Sequence, residues 1–211
     1  MKKKYVQYGC GLSAPVEWEN YDVSPTLRIQ KLPALGKLLR GRLNTQFPQN
    51  VMYGDIIQGL PVDPDSCDGV YCSHTLEHLS LNDFRKALVN TKRIMKPGGI
   101  FRCVVPDLEW YVKSYLEALQ NGNVDASIQF MRSTSLGVQE RPRGAKQVAA
   151  SLVGNSSHLW MWDHTSFSEE LRKTGFKEIR PCQFNDSADE MFKLVEDRNR
   201  FMKSVAIECK K

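Results

Sequence analysis

Short β-forming runs alternate with stretches of helical spacing over most of the chain. The runs lie at residues 5–8, 19–21, 51–53, 69–72 and 100–105, and an amphipathic stretch separates the last two. Strands that alternate with helices are typical of a parallel sheet covered by helices. The pattern therefore predicts an α/β fold.

The clearest predicted helix spans about residues 82–95, where apolar side chains recur every three or four positions. The sequence Lys-Pro-Gly-Gly at 96–99 ends it, because proline and glycine disfavour its continuation. The apolar run 100–105 then reads as a buried strand that Pro106 stops. A second helical pattern covers residues 108–119.

The stretch 121–154 is polar, contains glycine and arginine, and shows poor periodicity, so we expect an insertion or lid at about 121–164. Beyond it, the pattern predicts a helix at 166–174, then strands at 177–184 and 204–210 with a charged helical segment between them. A length of 211 residues supports one well-buried core and is short for two. We therefore expect a single domain over residues 1–211.

The composition is that of an ordinary globular protein, with 41% hydrophobic and 25% charged residues and a formal net charge of +5. Basic residues are spread along the chain apart from a cluster at 28–42, so we expect no specific nucleic-acid binding. Neither a signal-peptide pattern nor an apolar run of membrane-spanning length is present, which favours a cytoplasmic protein.

Leucines and basic residues share the segment 26–44, which could make weak contact with a membrane surface or an anionic partner. The alternative is a helix, broken at Pro33, that packs on the sheet and leaves its basic face in solvent. The six cysteines include no C-x-x-C pair and sit mostly in apolar runs. We expect them to be reduced thiols in the core.

Glycines follow the first predicted strand, and an acidic residue follows the second. Gly9-Cys10-Gly11 and then Asp22 form the ground plan of an adenosine-binding site, in which the backbone approaches the ligand and the carboxylate accepts hydrogen bonds from ribose hydroxyls. Extended to Ala14, the loop also matches the dinucleotide fingerprint of a nucleotide-dependent oxidoreductase. Pro15 and the short link between the strands leave little room for a pyrophosphate-binding helix, which disfavours that alternative.

Three further stretches complete a set of motifs. They are Gly54-Asp55-Ile56 with Leu60-Pro61, the run SCDGVYCSHTLEHL at 66–79, and the run RIMKPGG at 93–99. In this order and spacing the motifs resemble the class I S-adenosylmethionine-dependent methyltransferases, most closely the type-11 methyltransferase domain group. The resemblance implies a Rossmann-like fold with a mostly parallel seven-stranded sheet, an antiparallel last strand, helices on both faces, and S-adenosylmethionine as cofactor.

Carried over residue by residue, the resemblance implies a donor site. The glycine loop would lie under the methionine and ribose part, Asp22 would hold the ribose, and Asp55 would face the adenine amino group. The implied cofactor-binding residues are Gly9, Cys10, Gly11, Asp22, Asp55, Ile56 beside the adenine ring, and Ser73 with His74 near the methyl donor. The chain departs from the family pattern at Tyr8, where an acidic residue often precedes the first glycine, and in its short first crossover.

The four histidines fall in two places, His74 and His78 beside the expected donor site and His158 and His164 beyond the insertion. If the second segment folds over the first, an imidazole can act as general base near neutral pH, and Trp160 and its neighbours could wall the acceptor pocket. The candidate catalytic residues are His158, His164 and His74. The alternative is that these side chains only pack or cap helices.

The spacing His74-x-x-Glu77-His78 would also put three potential metal ligands on one helical turn. Leu-Glu-His occurs in metal-free methyltransferases as well, so we expect no metal site.

These observations favour an enzyme that transfers methyl from S-adenosylmethionine to an oxygen or nitrogen of a small-molecule or saccharide-type acceptor under the lid. The main alternative is a non-catalytic module of the same fold that binds a partner through the basic segment 26–44. An oxidoreductase comes third.

Overall fold

A seven-stranded sheet lies at the centre of the computed structural model, which describes residues 3–32, 45–140, 143–144 and 157–211. The strand order is β3-β2-β1-β4-β5-β7-β6. The strands are β1 (Tyr5–Tyr8), β2 (Glu19–Asp22), β3 (Val51–Tyr53), β4 (Cys67–Ser73), β5 (Met95–Pro106), β6 (Lys177–Pro181) and β7 (Ser204–Lys210).

Strands β1 to β5 pair in parallel, whereas β7 runs antiparallel to both β5 and β6. A mostly parallel sheet of seven strands with an antiparallel last strand is what the resemblance implied, and that prediction is confirmed. The described helices are α1 (Pro25–Gln30), α2 (Leu81–Ile94), α3 (Leu108–Gln120), α4 (Ala126–Ser133), α5 (His164–Thr174) and α6 (Arg198–Phe201), with 3₁₀ helices at Leu76–His78 and Glu190–Leu194.

Helix α2 follows closely from its sequence. Ser80 caps it, because its Oγ accepts a hydrogen bond from the backbone N–H of Asp83 at 3.3 Å. Phe84, Ala87 and Leu88 are fully buried on its inner face, as the apolar spacing predicted.

Strand β5 begins earlier than the predicted run 100–105. Met95 already pairs with Cys67, and an irregularity in β4 between Cys67 and Gly69 lets the pairing resume at Ile100. Local sequence does not reveal this start, because proline and glycine disfavour strands unless a bulge accommodates them.

The first crossover is short and contains no helix. Strand β2 is nevertheless parallel to β1, with Val6 opposite Glu19 and Tyr8 opposite Tyr21. The buried side chain of Asn20 supports the linking loop by donating to the carbonyl oxygens of Pro15 and Trp18. The strand predicted at 19–21 is therefore confirmed, and side-chain hydrogen bonds take the place of a helix.

Within the stretch 121–154, where the sequence shows poor periodicity, residues 126–133 form helix α4. The helix packs on α3, where the rings of Phe130 and Tyr115 lie 5.5 Å apart. Packing on a neighbouring helix supplies stability that a weak sequence pattern does not show. Most of the remainder, 141–142 and 145–156, lies outside the described residues.

The basic segment predicted at 26–44 is only partly described. Helix α1 ends at Gln30 and buries Leu27, and residues 33–44 lie outside the described part of the chain. Among the helices that are described, none has the length and apolarity needed to cross a membrane. All six cysteines are buried and unpaired, as expected for thiols in the core.

An ion-pair network joins β5 to the C-terminal part of the chain. The guanidinium of Arg102 is fully buried and donates to Glu196 at 2.6 Å, to Glu208 at 2.7 Å and to Asp186 at 2.9 Å. Burial raises the pKa of Glu196 above its ordinary value although Arg102 lies beside it. Without Arg102, the fully buried carboxylate of Glu196 would lose its cation.

We therefore predict that Arg102→Ala lowers the free energy of unfolding by about 3–5 kcal/mol, because it leaves the buried carboxylate of Glu196 without its cation. The matched control is Arg180→Ala. Arg180 pairs with the same Asp186 and Glu208 but is 41% exposed, so its loss should cost less than about 1 kcal/mol. Urea unfolding followed by circular dichroism measures both; equal losses would contradict the prediction.

Candidate functional site

The candidate site lies where the carboxyl ends of the parallel strands meet. The chain moves outward from β1 to β2 and β3 on one side, and to β4 and β5 on the other. The end of β1 is therefore the point at which the strand order reverses, and open α/β sheets bind ligands in the crevice that forms there. The loops after β1 and β4 both start at this crevice.

The glycine loop after β1 adopts backbone angles that favour glycine. Gly9 has φ +63° and Gly11 has φ +56°. A Cβ on Gly9 would lie 1.9 Å from Oγ1 of Thr75, so the loops after β1 and β4 touch at this point. A Cβ on Gly11 would meet no atom within 4 Å, which leaves open space above this residue.

Asp22, at the end of β2, supports the same loop. Its Oδ2 accepts a hydrogen bond from the backbone N–H of Gly11 at 2.9 Å, and its Oδ1 accepts one from the N–H of Ser24 at 2.8 Å. The side chain is buried, with the residue 6% exposed. Each carboxylate oxygen has a second lone pair, so Asp22 can hold the loop and still accept from a ligand hydroxyl.

Two residues of the predicted donor site point into the core. Cys10 packs with Leu27, Phe47 and Val51, and burial raises the pKa of its thiol to about 12. Ile56 belongs to the main hydrophobic core. Their expected contribution to the cofactor site is therefore through the backbone or through packing.

Asp55 is half-buried, and its Oδ1 accepts a hydrogen bond from the N–H of Ile57 at 2.8 Å. Its carboxylate thereby shapes the turn after β3. Its other lone pairs can accept a hydrogen bond from an amino group, which is the role that the resemblance implied for Asp55.

Ser73, at the end of β4, is buried, and within the described part of the chain its Oγ has no hydrogen-bond partner. The carbonyl oxygen of Ser73 accepts a hydrogen bond from Nη1 of Arg200 in α6, at 3.1 Å. Ser73, Arg200, Gly9, Cys10 and other residues line a cavity of about 20 Å³, which is room for a water molecule. A ligand larger than water must therefore occupy the open side above Gly11 or widen this cavity.

The turn after β4 carries three of the four ionisable groups of a compact cluster. His74 has φ +52°, a conformation that is strained for a residue with a Cβ. Glu77 follows in the 3₁₀ helix and is 1% exposed, and neither of its carboxylate oxygens has a hydrogen-bond partner among the residues that the structure describes. His74 Nδ1 lies 3.5 Å and His78 Nε2 lies 3.9 Å from Oε1 of Glu77.

His158 completes this cluster from a distant part of the chain. Its Nε2 lies 3.9 Å from Oε1 of Glu77, and its ring centroid is 4.9 Å from that of His78. Backbone hydrogen bonds hold the segment in place: the N–H groups of Leu159 and Trp160 donate to the carbonyl oxygen of Glu77 at 2.8 and 3.1 Å. The segment beyond the insertion thus folds over the turn that carries His74, as the sequence suggested. We name Glu77, His74, His78 and His158 the Glu77 cluster.

The two histidines with shifted pKa values behave differently. Burial alone would lower the pKa of His74, but the Glu77 carboxylate and the carbonyl of Arg200 raise it above its ordinary value. Burial dominates at His158 and lowers its pKa, although Glu77 opposes this shift. A neutral imidazole at His158 has a nitrogen lone pair that can accept a proton or bind a metal ion.

The neighbouring histidine, His164, has a different setting. It is the first residue of α5, which Asp163 caps by accepting from the N–H of Ser166, and its buried Nε2 has no partner among the described residues. Trp162 is buried against Phe84, with ring centroids 4.3 Å apart, and is a packing residue. Trp160, in contrast, is 41% exposed.

Sequence reasoning did not single out Thr75 or Arg200, which touch the loops of the crevice. Nothing in their sequence surroundings distinguishes them, because their role comes from contacts with Gly9 and Ser73 far along the chain.

The comparisons with known proteins agree with this geometry. Residues 6–103 match the model of a methyltransferase domain family, the type-11 group. A fungal protein of Aspergillus luteorubrus named "Probable methyltransferase ltbC" is 42% identical over 48 residues. That stretch is 22% of this chain and only 17% of the fungal protein, so the match spans a small part of the relative.

Two solved structures show the same fold across nearly the whole chain. One is an S-adenosylmethionine-dependent methyltransferase of Thermotoga maritima, described as a possible histamine N-methyltransferase, with a TM-score of 0.50 and 17% identity over 100% of this chain and 83% of that one. The other, an S-adenosylmethionine-dependent methyltransferase of Archaeoglobus fulgidus, has a TM-score of 0.50 and 16% identity over 99% and 86%. At this identity the likeness establishes the fold.

The contact between Gly9 and Thr75 gives a prediction. Gly9→Ala should lower the free energy of unfolding by about 2–5 kcal/mol, because it adds a steric clash to an unfavourable backbone angle. Gly11→Ala is the control, with a similar φ but open space, and should cost about 1–2 kcal/mol from backbone strain alone. Chemical denaturation measures both variants, and a loss at Gly11 as large as that at Gly9 would refute the close contact.

Proposed function

We propose that this chain is a class I S-adenosylmethionine-dependent methyltransferase that transfers methyl from S-adenosylmethionine to an oxygen or nitrogen of a small-molecule or saccharide-type acceptor. The observation that carries the proposal is the meeting of two features at one sheet edge. The glycine loop with Asp22 lies at the end of β1 and β2, and the Glu77 cluster begins at the end of β4.

The residues present fit the cofactor. The open space above Gly11 admits close approach of a ligand to the backbone, and the Asp22 carboxylate has unused acceptor capacity for ribose hydroxyls. The buried Oγ of Ser73, for which the described residues supply no partner, offers a further polar contact near the methyl group. S-adenosylmethionine, when bound, supplies a methyl group on a positively charged sulfur.

The acceptor would approach from the side of the Glu77 cluster. Alignment of a nucleophile with the methyl carbon supplies much of the acceleration of such an in-line displacement. A base is needed only where the acceptor must lose a proton. His158 and His74 are our candidates for that task, because both lie in the cluster beside the donor loop. His164 is a weaker candidate, since it lies outside the cluster and its Nε2 is buried at the start of α5.

The acceptor pocket would include Trp160, whose backbone is tied to Glu77 and whose ring is partly exposed. A flat exposed ring beside polar groups suits a saccharide or a small polar molecule.

An oxidoreductase is less well supported. A pyrophosphate binds best at a helix N-terminus, and the residues after Gly11 form turns that lead directly into β2. The adenosylmethionine molecule has no phosphate and does not need that helix.

Calorimetric titration of the purified protein with S-adenosylmethionine, S-adenosylhomocysteine and NAD tests the proposal. We expect micromolar binding of the first two and none of NAD. Asp22→Asn should weaken that binding at least about tenfold, because it removes one charged acceptor from the ribose contact. Asp68→Asn is the matched control, since Asp68 lies at the opposite end of β4, paired with Lys96.

Circular dichroism must show that each variant remains folded. Absence of binding in folded wild-type protein would refute the enzyme and favour a non-catalytic module of the same fold. Binding of NAD in competition with S-adenosylhomocysteine would favour the oxidoreductase. Unchanged binding by Asp22→Asn would remove Asp22 from the donor site.

A further inference from the structure

The Glu77 carboxylate is placed in an unusual way for a buried charged group. Both of its oxygens are buried, and neither has a hydrogen-bond donor among the described residues. An isolated carboxylate in such a position costs several kcal/mol unless a cation or donor compensates it. Three imidazole nitrogens face Oε1 at 3.5 to 3.9 Å, which is beyond normal hydrogen-bond length.

The hydrogen bonds of His78 show which of its nitrogens is free. Its Nδ1 lies 3.0 Å from the carbonyl oxygen of Ser157, and a carbonyl can only accept, so Nδ1 carries a hydrogen. In the neutral ring Nε2 then has a lone pair, and this nitrogen is the one that faces Glu77. Metal-bound histidines are usually oriented by such a bond from the other ring nitrogen to a carbonyl or carboxylate.

His74 also faces this carboxylate. Its Nε2 lies 2.9 Å from the carbonyl oxygen of Arg200 and therefore donates, and its Nδ1 lies 3.5 Å from Oε1 of Glu77. The Nε2 lone pair of His78 faces the same oxygen at 3.9 Å. Two groups that only accept repel one another unless a cation lies between them.

From this geometry we propose that Glu77, His78 and His158 bind a divalent transition-metal ion of the Zn²⁺ type. One ligand atom from each of the three residues lies within 4.8 Å of the others. Ligands about 2.1 Å from a tetrahedral ion are about 3.4 Å apart, so small side-chain movements bring the three atoms into place. Two imidazoles and a carboxylate suit zinc and its neighbours, whereas Mg²⁺ and Ca²⁺ prefer oxygen ligands.

The site is built by the backbone before any ion binds. The carbonyl oxygen of Glu77 accepts from Leu159 and Trp160, and the N–H of His158 donates to the carbonyl oxygen of Ser135 at 3.2 Å. These bonds fix two distant segments against each other, so His158 faces Glu77 without help from a metal. The expectation of no metal site came from the turn 74–78 alone, and the structure adds His158.

The carboxylate end of the cluster is buried, whereas its histidine end is partly exposed. The Glu77 side chain is 1% exposed, whereas the side chains of His78 and His158 are 19% and 13% exposed. Water or an acceptor oxygen can therefore complete the coordination, as in zinc sites with three protein ligands. The use of that position by an acceptor rests on the proposed function, whereas metal binding itself does not.

The test uses the full chain, stripped with a chelator and titrated with Zn²⁺ by calorimetry and with Co²⁺ by visible absorption. We expect one ion per chain, Co²⁺ bands typical of tetrahedral nitrogen and oxygen ligands, and a higher melting temperature with Zn²⁺. Glu77→Gln and His158→Asn should each weaken binding at least about tenfold. His164→Asn is the control, because His164 is outside the cluster and should leave metal binding unchanged.

Since Glu77 is buried, His78→Asn provides a second variant at a more exposed position, and circular dichroism in chelator checks the fold of each. No ion binding by folded wild-type protein would overturn the proposal. Binding that survives the cluster variants, or a strong sulfur charge-transfer band from cysteine ligands, would do the same. S-adenosylhomocysteine titration of the same stripped and loaded samples separates this result from a failure of the proposed function.

Discussion

The contact between Gly9 and Thr75 fixes how the glycine loop after β1 lies against the turn after β4. β1 and β4 are neighbours in the sheet, so the loops that follow them leave it side by side. With no side chain on Gly9, Thr75 packs directly on the backbone of the glycine loop. The loop that would hold a donor and the turn that carries His74 and Glu77 are therefore coupled, and a shift in either one must move the other.

Glu77, whose carboxylate is buried, organises the turn after β4 and the segment that docks on it. Glu77 uses its backbone carbonyl to bind the segment that carries His158, while its side chain faces three imidazoles. The backbone bonds explain why this segment docks, but no described residue donates a hydrogen bond to the carboxylate oxygens. Proteins retain such costly arrangements chiefly at functional sites, where a bound ion, proton or substrate supplies the missing partner.

The C-terminal segment reaches the same crevice through the ion pairs of Arg102. These pairs hold Asp186 and Glu196 against β5, and Arg200 follows a few residues later in α6. Arg200 then contacts the end of β4 with both its side chain and its carbonyl oxygen, at Ser73 and His74. The buried ion pairs of Arg102 thus help to hold Arg200 against Ser73 and His74 at the carboxyl edge of the sheet.

The sequence by itself determined the alternation of strands and helices, the glycine loop, Asp22 and the long amphipathic helix α2. Each of these depends on neighbours in the chain: apolar spacing, glycine at positive φ, or a residue directly after a strand. Helix α4, the early start of β5 and the encounter of Glu77 with His158 depended on the tertiary structure. They rest on contacts between segments far apart in sequence, whose energies no local pattern expresses.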